Sequence, residues 1–156
     1  YRDMGDYENA LAVAYAYVEH APRTRREVER RLQRAGYESG CIEKVLTALE
    51  RAGLVNDRAF AEAWVESRQR SKGYGRVRLE SELRRKGVDS DIIGEAMEQI
   101  EPERESDRAR LLALALLGTA DIADYAVRRR LAGYLHRRGY SWDTIEQVIG
   151  DIASNS

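Results

Sequence analysis

Apolar residues recur along this chain at intervals of three and four, and the whole pattern recurs at an interval of about 51 residues. Setting Gly36, Gly87 and Gly139 in one column places Leu32, Leu83 and Leu135 four residues earlier, and Val28, Leu79 and Leu131 eight residues earlier. Downstream, Ile42, Ile93 and Ile145 align, then Leu49, Ile100 and Ile152. Upstream, Ala10, Ala61 and Ala113 fall into register, as do Val13, Trp64 and Leu116. One such column arises by chance; this many describe a unit that buries its apolar face by stacking on copies of itself. Spacing of three and four is the helical period, and no segment alternates as a strand does. The pattern predicts an all-α fold, an elongated and curved tandem array of three three-helix repeats over residues 1–55, 56–104 and 105–156.

Polar punctuation marks the helix ends. Thr24 with Glu27 makes a capping box for the second helix of the first repeat. Asn56 or Asp57, and Ser106 or Asp107, are candidate caps for the first helices of the other two repeats. The aligned glycines follow basic helix ends and read as left-handed C-terminal caps, with Arg34, Lys86 and Arg138 complementing the dipole. Two residues beyond them, Glu38, Asp89 and Ser141 read as caps of third helices. Helices are thus predicted over 9–20, 24–35, 39–53, 57–72, 76–86, 90–101, 107–118, 122–138 and 142–153.

Composition adds boundaries. At 43% hydrophobic over 156 residues the chain has enough apolar side chain to fill a core, and two prolines argue against a loop-rich fold. The apolar run at 111–118 falls far short of the ~18 residues of a membrane span, and no secretory signal opens the chain, so a soluble cytoplasmic protein is expected. The chain opens on Tyr1 rather than methionine, which leaves room for a segment upstream of it. The single cysteine, Cys41, permits no internal disulfide and is expected to be buried or half-buried.

A net charge of -1 conceals segregation. Residues 23–34 hold six arginines against two acids, residues 68–86 eight basic residues against two acids, and residues 128–138 five arginines and no acid; residues 87–127 hold ten acids against three arginines. Arginine fills one column near the start of each second helix (Arg25, Arg76, Arg128) and another near its end (Arg34, Arg85, Arg137). Two readings are open. The runs are solvated faces balanced by intramolecular pairs worth up to about 1 kcal/mol each, or the stacked repeats line them into a basic stripe opposed by acidic first and third helices. Recurrence in all three repeats favours the stripe, and guanidinium groups, with only three lysines in the chain, suit bidentate contact with phosphates or carboxylates. The densest surface is expected at Arg68, Arg70, Lys72, Arg76, Arg78, Arg84, Arg85 and Lys86, with Arg25, Arg34, Arg128 and Arg137 second.

Catalytic chemistry is not evident. His20 and His136 are far apart and neither has a partner at metal-ligand spacing, so no metal and no cofactor is expected, and His136 suits an exposed polar role. Gly73, Tyr74 and Gly75 follow Lys72 but lack the Lys-Ser/Thr ending of a phosphate loop, and read as a flexible helix connection. Trp64 shares a column with Val13 and Leu116 and is expected in the core. Trp142 replaces Ser39 and Ser90, so it either covers the end of the array or serves as a contact residue.

The run from Ala52 to Val88 resembles the signature region of the RecX family of regulatory proteins, modulators of the RecA recombinase. Its elements are Gly53, Leu54, Asp57, Phe60, Ala61, Arg68, Lys72, Gly73, Gly75, Leu79, Leu83, Lys86, Gly87 and Val88. The flanks match more loosely, through residues 27–49 and the Arg-Gly-Tyr of 138–140. Family members commonly carry two acids where this chain has Asn56 and Asp57; Asn caps a helix about as well as Asp. A monomer without enzymatic activity is expected, and the resemblance implies that it binds in the helical groove of the RecA filament on DNA. It also implies inhibition of ATP hydrolysis and strand exchange, and thereby a part in recombination, DNA repair and the SOS response. A direct DNA-binding module, contacting single- or double-stranded DNA through the basic helices, is the alternative reading, and a purely structural adaptor a third.

Overall fold

The computed structural model describes residues 2–156, with side chains from Gly5 onward. Among the described residues the chain forms nine helices and no strand: α1 (Arg2–His20), α2 (Arg25–Arg34), α3 (Ser39–Arg51), α4 (Asp57–Lys72), α5 (Arg76–Arg85), α6 (Ser90–Met97), α7 (Pro102–Leu117), α8 (Tyr125–Arg137) and α9 (Trp142–Ser154). The all-α repeat fold is therefore the observed one, with the aligned columns supplying its core. Leu32, Leu83, Leu135, Val28, Leu79 and Leu131 are fully buried, as are Ala10, Ala61 and Ala113. Each buried leucine contributes about 2 kcal/mol through removal of its side chain from water.

The capping chemistry explains where α2 starts and stops. Thr24 Oγ1 accepts from the Glu27 backbone N–H at 3.1 Å while Glu27 Oε1 accepts from the Thr24 N–H at 3.0 Å, a complete capping box. At the other end Gly36 N–H donates to the Gln33 carbonyl and Tyr37 N–H to the Leu32 carbonyl, satisfying orphan acceptors of the last turn. The same paired bonds recur at Gly87 with Val88 and at Gly139 with Tyr140, and all three glycines have positive φ. Asn56 caps α4, its Oδ1 accepting from Ala59 N–H at 3.1 Å, and Ser141 Oγ accepts from Thr144 N–H at 3.2 Å.

Other caps differ from expectation. Glu38 occupies the N-cap position of α3 but makes no side-chain cap bond. Ser106 and Asp107 lie inside α7, which starts earlier because Pro102 at its first turn already has helical φ and Glu103 and Glu105 complement the dipole there. At the N-terminus, α1 runs back to Arg2. Helix α6 stops at Met97, after which the Gln99 and Ile100 N–H groups donate three residues back, a tighter turn that still buries Ile100. Helix α8 starts at Tyr125, since Asp121 and Asp124 side chains accept from the Ala123 and Ala126 N–H groups and hold the preceding residues in turns. Trp64 is half-buried rather than core: its column lies at the core edge, and the polar indole Nε1 donates to Glu82 at 3.1 Å. Cys41 is half-buried, as expected.

Compactness divides the chain into two units, Tyr1–Ala63 with Leu83–Ile93, and Trp64–Glu82 with Gly94–Ser156, a division that cuts through α4, α5 and α6. In the first unit α1, α2 and α3 pack on one another around Ala14, Val28, Leu32, Val45, Leu46 and Leu49. In the second, α7, α8 and α9 pack on one another around Ala113, Leu131, Leu135, Tyr140, Ile145 and Val148. No helix among the described residues is long and apolar enough to cross a membrane.

Candidate functional site

The arginine column at the start of the second helices is turned to intramolecular use. A cation at a helix N-terminus sits at the unfavourable end of the dipole, and each of these three is held by acceptors nearby. Arg25 bonds Glu50 Oε1 at 2.8 Å and Glu43 Oε2 at 2.9 Å, with Glu29 at 3.7 Å. Its guanidinium pKa is raised, chiefly by the Glu50 hydrogen bond. Arg76 Nε bonds Glu80 Oε1 at 3.0 Å, and Arg128 Nε donates to the Ile122 carbonyl at 2.7 Å.

Around Arg25 and Arg76 the chain builds the same joint, once in each unit. In the first, the N-terminus of α2 meets the C-terminus of α5: Thr24 Oγ1 donates to the Lys86 carbonyl at 2.7 Å, and Arg25 N–H donates to Asp57 Oδ1 at 2.9 Å. Gly87 lies against the stem of Arg26, where an added Cβ would collide. In the second unit the N-terminus of α5 meets the C-terminus of α8. Gly75 N–H donates to the Arg138 carbonyl at 2.8 Å, Val77 N–H to the Gly139 carbonyl at 2.9 Å, and Arg76 N–H to Glu105 Oε1 at 2.6 Å. In the second joint backbone N–H groups pair with carbonyls past the helix end, whereas in the first the Thr24 hydroxyl takes the carbonyl; in both, a helix N-terminus meets a C-terminus of opposite partial charge. Burial raises the carboxyl pKa of both Asp57 and Glu105, opposed by the backbone bonds each accepts.

The Gly73, Tyr74, Gly75 segment is not a loose connection. Tyr140 Oη donates to the Gly73 carbonyl at 2.8 Å, Arg138 donates to the Lys72 carbonyl, and Arg78 Nη1 donates to the Arg137 carbonyl at 3.2 Å. Tyr74 lies under the Arg78 guanidinium at 3.7 Å and near that of Arg138 at 6.0 Å. Desolvation pushes the Tyr140 hydroxyl up to about 12, so it stays a donor at neutral pH. The Lys-Gly-Tyr-Gly and Arg-Gly-Tyr segments thus interlock. That Thr24 shares a column with Gly75, and Lys86 with Arg138, is legible in the sequence, although the joints themselves are not; the match of Glu105 to Asp57 is not legible, because Glu105 stands outside the column of Asp57.

The remaining predicted residues fall into two kinds. Lys86 Nζ reaches Glu27 at 3.4 Å, Arg68 lies over the Trp64 ring at 4.1 Å, Arg78 reaches Glu82 at 3.6 Å, and Arg70 reaches Glu66 at 3.8 Å. Of the remaining predicted residues, Arg34, Arg84 and Arg85 in the first unit and Lys72 and Arg137 in the second are exposed, and no ion pair among the described residues engages them. Arg129 and Arg130, not singled out from the sequence, are exposed in the same way. Arg34 stands apart from Arg25, at the other end of α2, about 14 Å along its axis. No group of His, Cys, Asp or Glu suited to a metal ion exists among the described residues.

Three family models match in tandem: the first three-helix domain of RecX over residues 10–49, the second over 56–97 and the third over 103–149. The chain is 38% identical to the regulatory protein RecX of Amycolatopsis mediterranei over 144 residues, 92% of this chain and 82% of that one. It is 42% identical to that of Streptomyces coelicolor over 143 residues, 91% of this chain and 76% of that one. The crystal structure of RecX from Lactobacillus salivarius superposes with a TM-score of 0.87 at 23% identity, covering 98% of this chain and 99% of that chain, a likeness of fold. With each of its three-helix sets matched in order, and relatives of this identity across almost its whole length, the chain belongs to the RecX family.

Proposed function

We propose that this protein is a non-enzymatic negative regulator of the RecA recombinase, acting in the cytoplasm as a monomer. It binds the RecA filament on DNA and inhibits its ATP hydrolysis and strand exchange, and so modulates recombination, repair and the SOS response. The observation that carries this reading is family membership across all three repeats, with relatives that bear the name regulatory protein. Charge geometry supports it: Arg34, Arg84, Arg85 and Arg137 are exposed, and no ion pair among the described residues engages them. A filament of protein on DNA offers both carboxylates and phosphates, and guanidinium groups recognise either in bidentate fashion. Several such contacts, each weak, add through effective concentration.

The test is the time course of single-strand-dependent ATP hydrolysis by a preformed RecA filament from the same organism, after addition of this protein at a small fraction of the RecA concentration. A progressive fall is expected. An unchanged rate with folded protein would sink the reading. The exposed arginines also favour a second reading, direct DNA binding through phosphates. That predicts RecA-independent binding whose log-log salt slope is near -0.9 per duplex phosphate contact.

A further inference from the structure

The second unit carries a groove of about 700 Å³ between α8 and α9, of which the regulatory reading uses only Arg137. Ala132 and Gly133 of α8 and Ile145 and Ile149 of α9 line it, so its wall includes small and aliphatic residues. Two aromatic side chains line it as well, Tyr125 at 76% exposure and Trp142 at 54%. Its arginines are Arg128, Arg129 and Arg137, and its one acid is Glu146.

Departures from the repeat pattern converge here. Tyr125 stands in the column of Pro22 and Gly73, and Trp142 in that of Ser39 and Ser90. Conversely, Gly133 replaces Arg30 and Ser81, and Gly150 replaces Thr47 and Glu98. The third repeat has therefore gained two large aromatics and lost the side chain at two positions along one groove. Neither change serves its own core, since Trp142 and Tyr125 remain largely in water and nothing lies within 4 Å of a Cβ built at Gly150. Trp142 is also braced on one face, stacked on His136 with ring centroids 4.3 Å apart and planes 14° apart. An aromatic braced before binding loses less entropy when covered, and exposed aromatics beside arginines are the composition of an interface centre.

We propose that this groove docks an amphipathic helix of a partner protein, its apolar stripe on the α8–α9 floor and its acidic flanks against Arg128, Arg129 and Arg137. Charge selects the occupant: three guanidinium groups against one carboxylate favour an acidic segment. Shape selects a helix, because a trough between two helices accepts the ridge of a third and reads side chains at three, four and seven residues apart. A nucleic-acid strand fits less well, as one face of Trp142 is already covered by His136 and the floor is aliphatic. The inference stands apart from the identity of the filament partner.

The probe is a fluorescein-labelled synthetic peptide of about 14 residues, with Leu, Phe and Leu on one helical stripe and Glu on its flanks. Its binding to the full chain is read by fluorescence anisotropy. Saturable binding is expected, weakened about tenfold or more by Trp142→Ala and by Arg129→Glu, with the Lys-flanked version of the peptide failing to bind. Arg129 is exposed, so its substitution tests the groove even where Trp142→Ala disturbs the fold. No binding by the parent protein, or binding indifferent to Arg129→Glu, overturns the proposal. So does a labelled oligothymidylate that binds the parent and loses affinity with both substitutions while the peptide does not. Concentration-dependent dimerisation abolished by Arg129→Glu would make a second copy of this chain the occupant and overturn it as well.

Discussion

Gly139 adopts φ 98° and lies against Arg78, so closely that a Cβ built on it would stand 2.6 Å from the Arg78 backbone nitrogen. Gly36 has a similar φ of 90° but nothing within 4 Å of its Cβ. Alanine at either position meets the backbone strain of the left-handed region, on the order of 1 kcal/mol; only at Gly139 must the joint also open. Gly139→Ala is therefore expected to destabilise by about 3 kcal/mol or more and Gly36→Ala by about 1, measured by urea unfolding. Equal losses would mean that the α5–α8 joint yields at no cost. The same residue-scale logic separates arginines that look alike in sequence. Arg25 is bonded to two glutamates on α3, whereas Arg84 and Arg85 are exposed at the end of α5, and spacing along the chain carries no information about which acids come within 3 Å.

Helix ends rather than helix faces distinguish this fold at the scale of elements. Thr24 is fully buried, closes the capping box of α2 and donates to the Lys86 carbonyl. Thr24→Ala loses the cap and leaves that carbonyl without its hydroxyl, an expected cost of about 2 kcal/mol. Thr24→Ser keeps the hydroxyl, and its denaturation midpoint should stay near that of the parent. The carboxylates at the joints make the elements pH-sensitive in a defined direction. Burial raises the folded-state pKa of Asp57 and Glu105 above the usual carboxylate values, so folding takes up protons as the solution is acidified. The cost of holding these groups ionised is in force at neutral pH and is relieved as pH falls through the raised values. Asp57→Asn retains an acceptor for the Arg25 N–H and has no such proton to take up. Its stability relative to the parent should decline from pH 7 to about pH 4, followed by urea unfolding at each pH. A relative stability that rose on acidification would show that the charge itself stabilises the joint.

Across the whole molecule, folding cations and binding cations should be separable. Reversing Arg84 and Arg85 together alters exposed positions and should leave thermal stability within about 0.5 kcal/mol, while weakening inhibition of the RecA ATPase in the assay above. Arg25→Glu breaks the bonds to Glu43 and Glu50 and sets like charges together; it should lower stability by about 1 kcal/mol or more. Unchanged inhibition by the Arg84, Arg85 double reversal would move the contact surface elsewhere, with the family assignment intact.

Helix number, repeat period and core columns were legible along the chain because each depends on local periodicity and on neighbours in one helix or the next. Apolar spacing of three and four brings Leu32, Leu83 and Leu135 to the inside whatever lies beyond them, and a glycine past a basic helix end needs only its own backbone to cap it. Trp64 marks the limit of that reasoning: its column is apolar elsewhere, yet its position at the core edge, beside Glu82, left the indole half in water. The intramolecular partners of the arginines were decided only by tertiary structure. Pairing Arg25 with Glu50, seating Gly139 on Arg78 and interlocking Lys72 to Gly75 with Arg138 to Tyr140 join groups tens of residues apart. Hydrogen bonds and direct ion pairs need their partners within about 4 Å, so a charge pattern fixes how many cations there are and only the packed fold fixes which of them are paired within the chain.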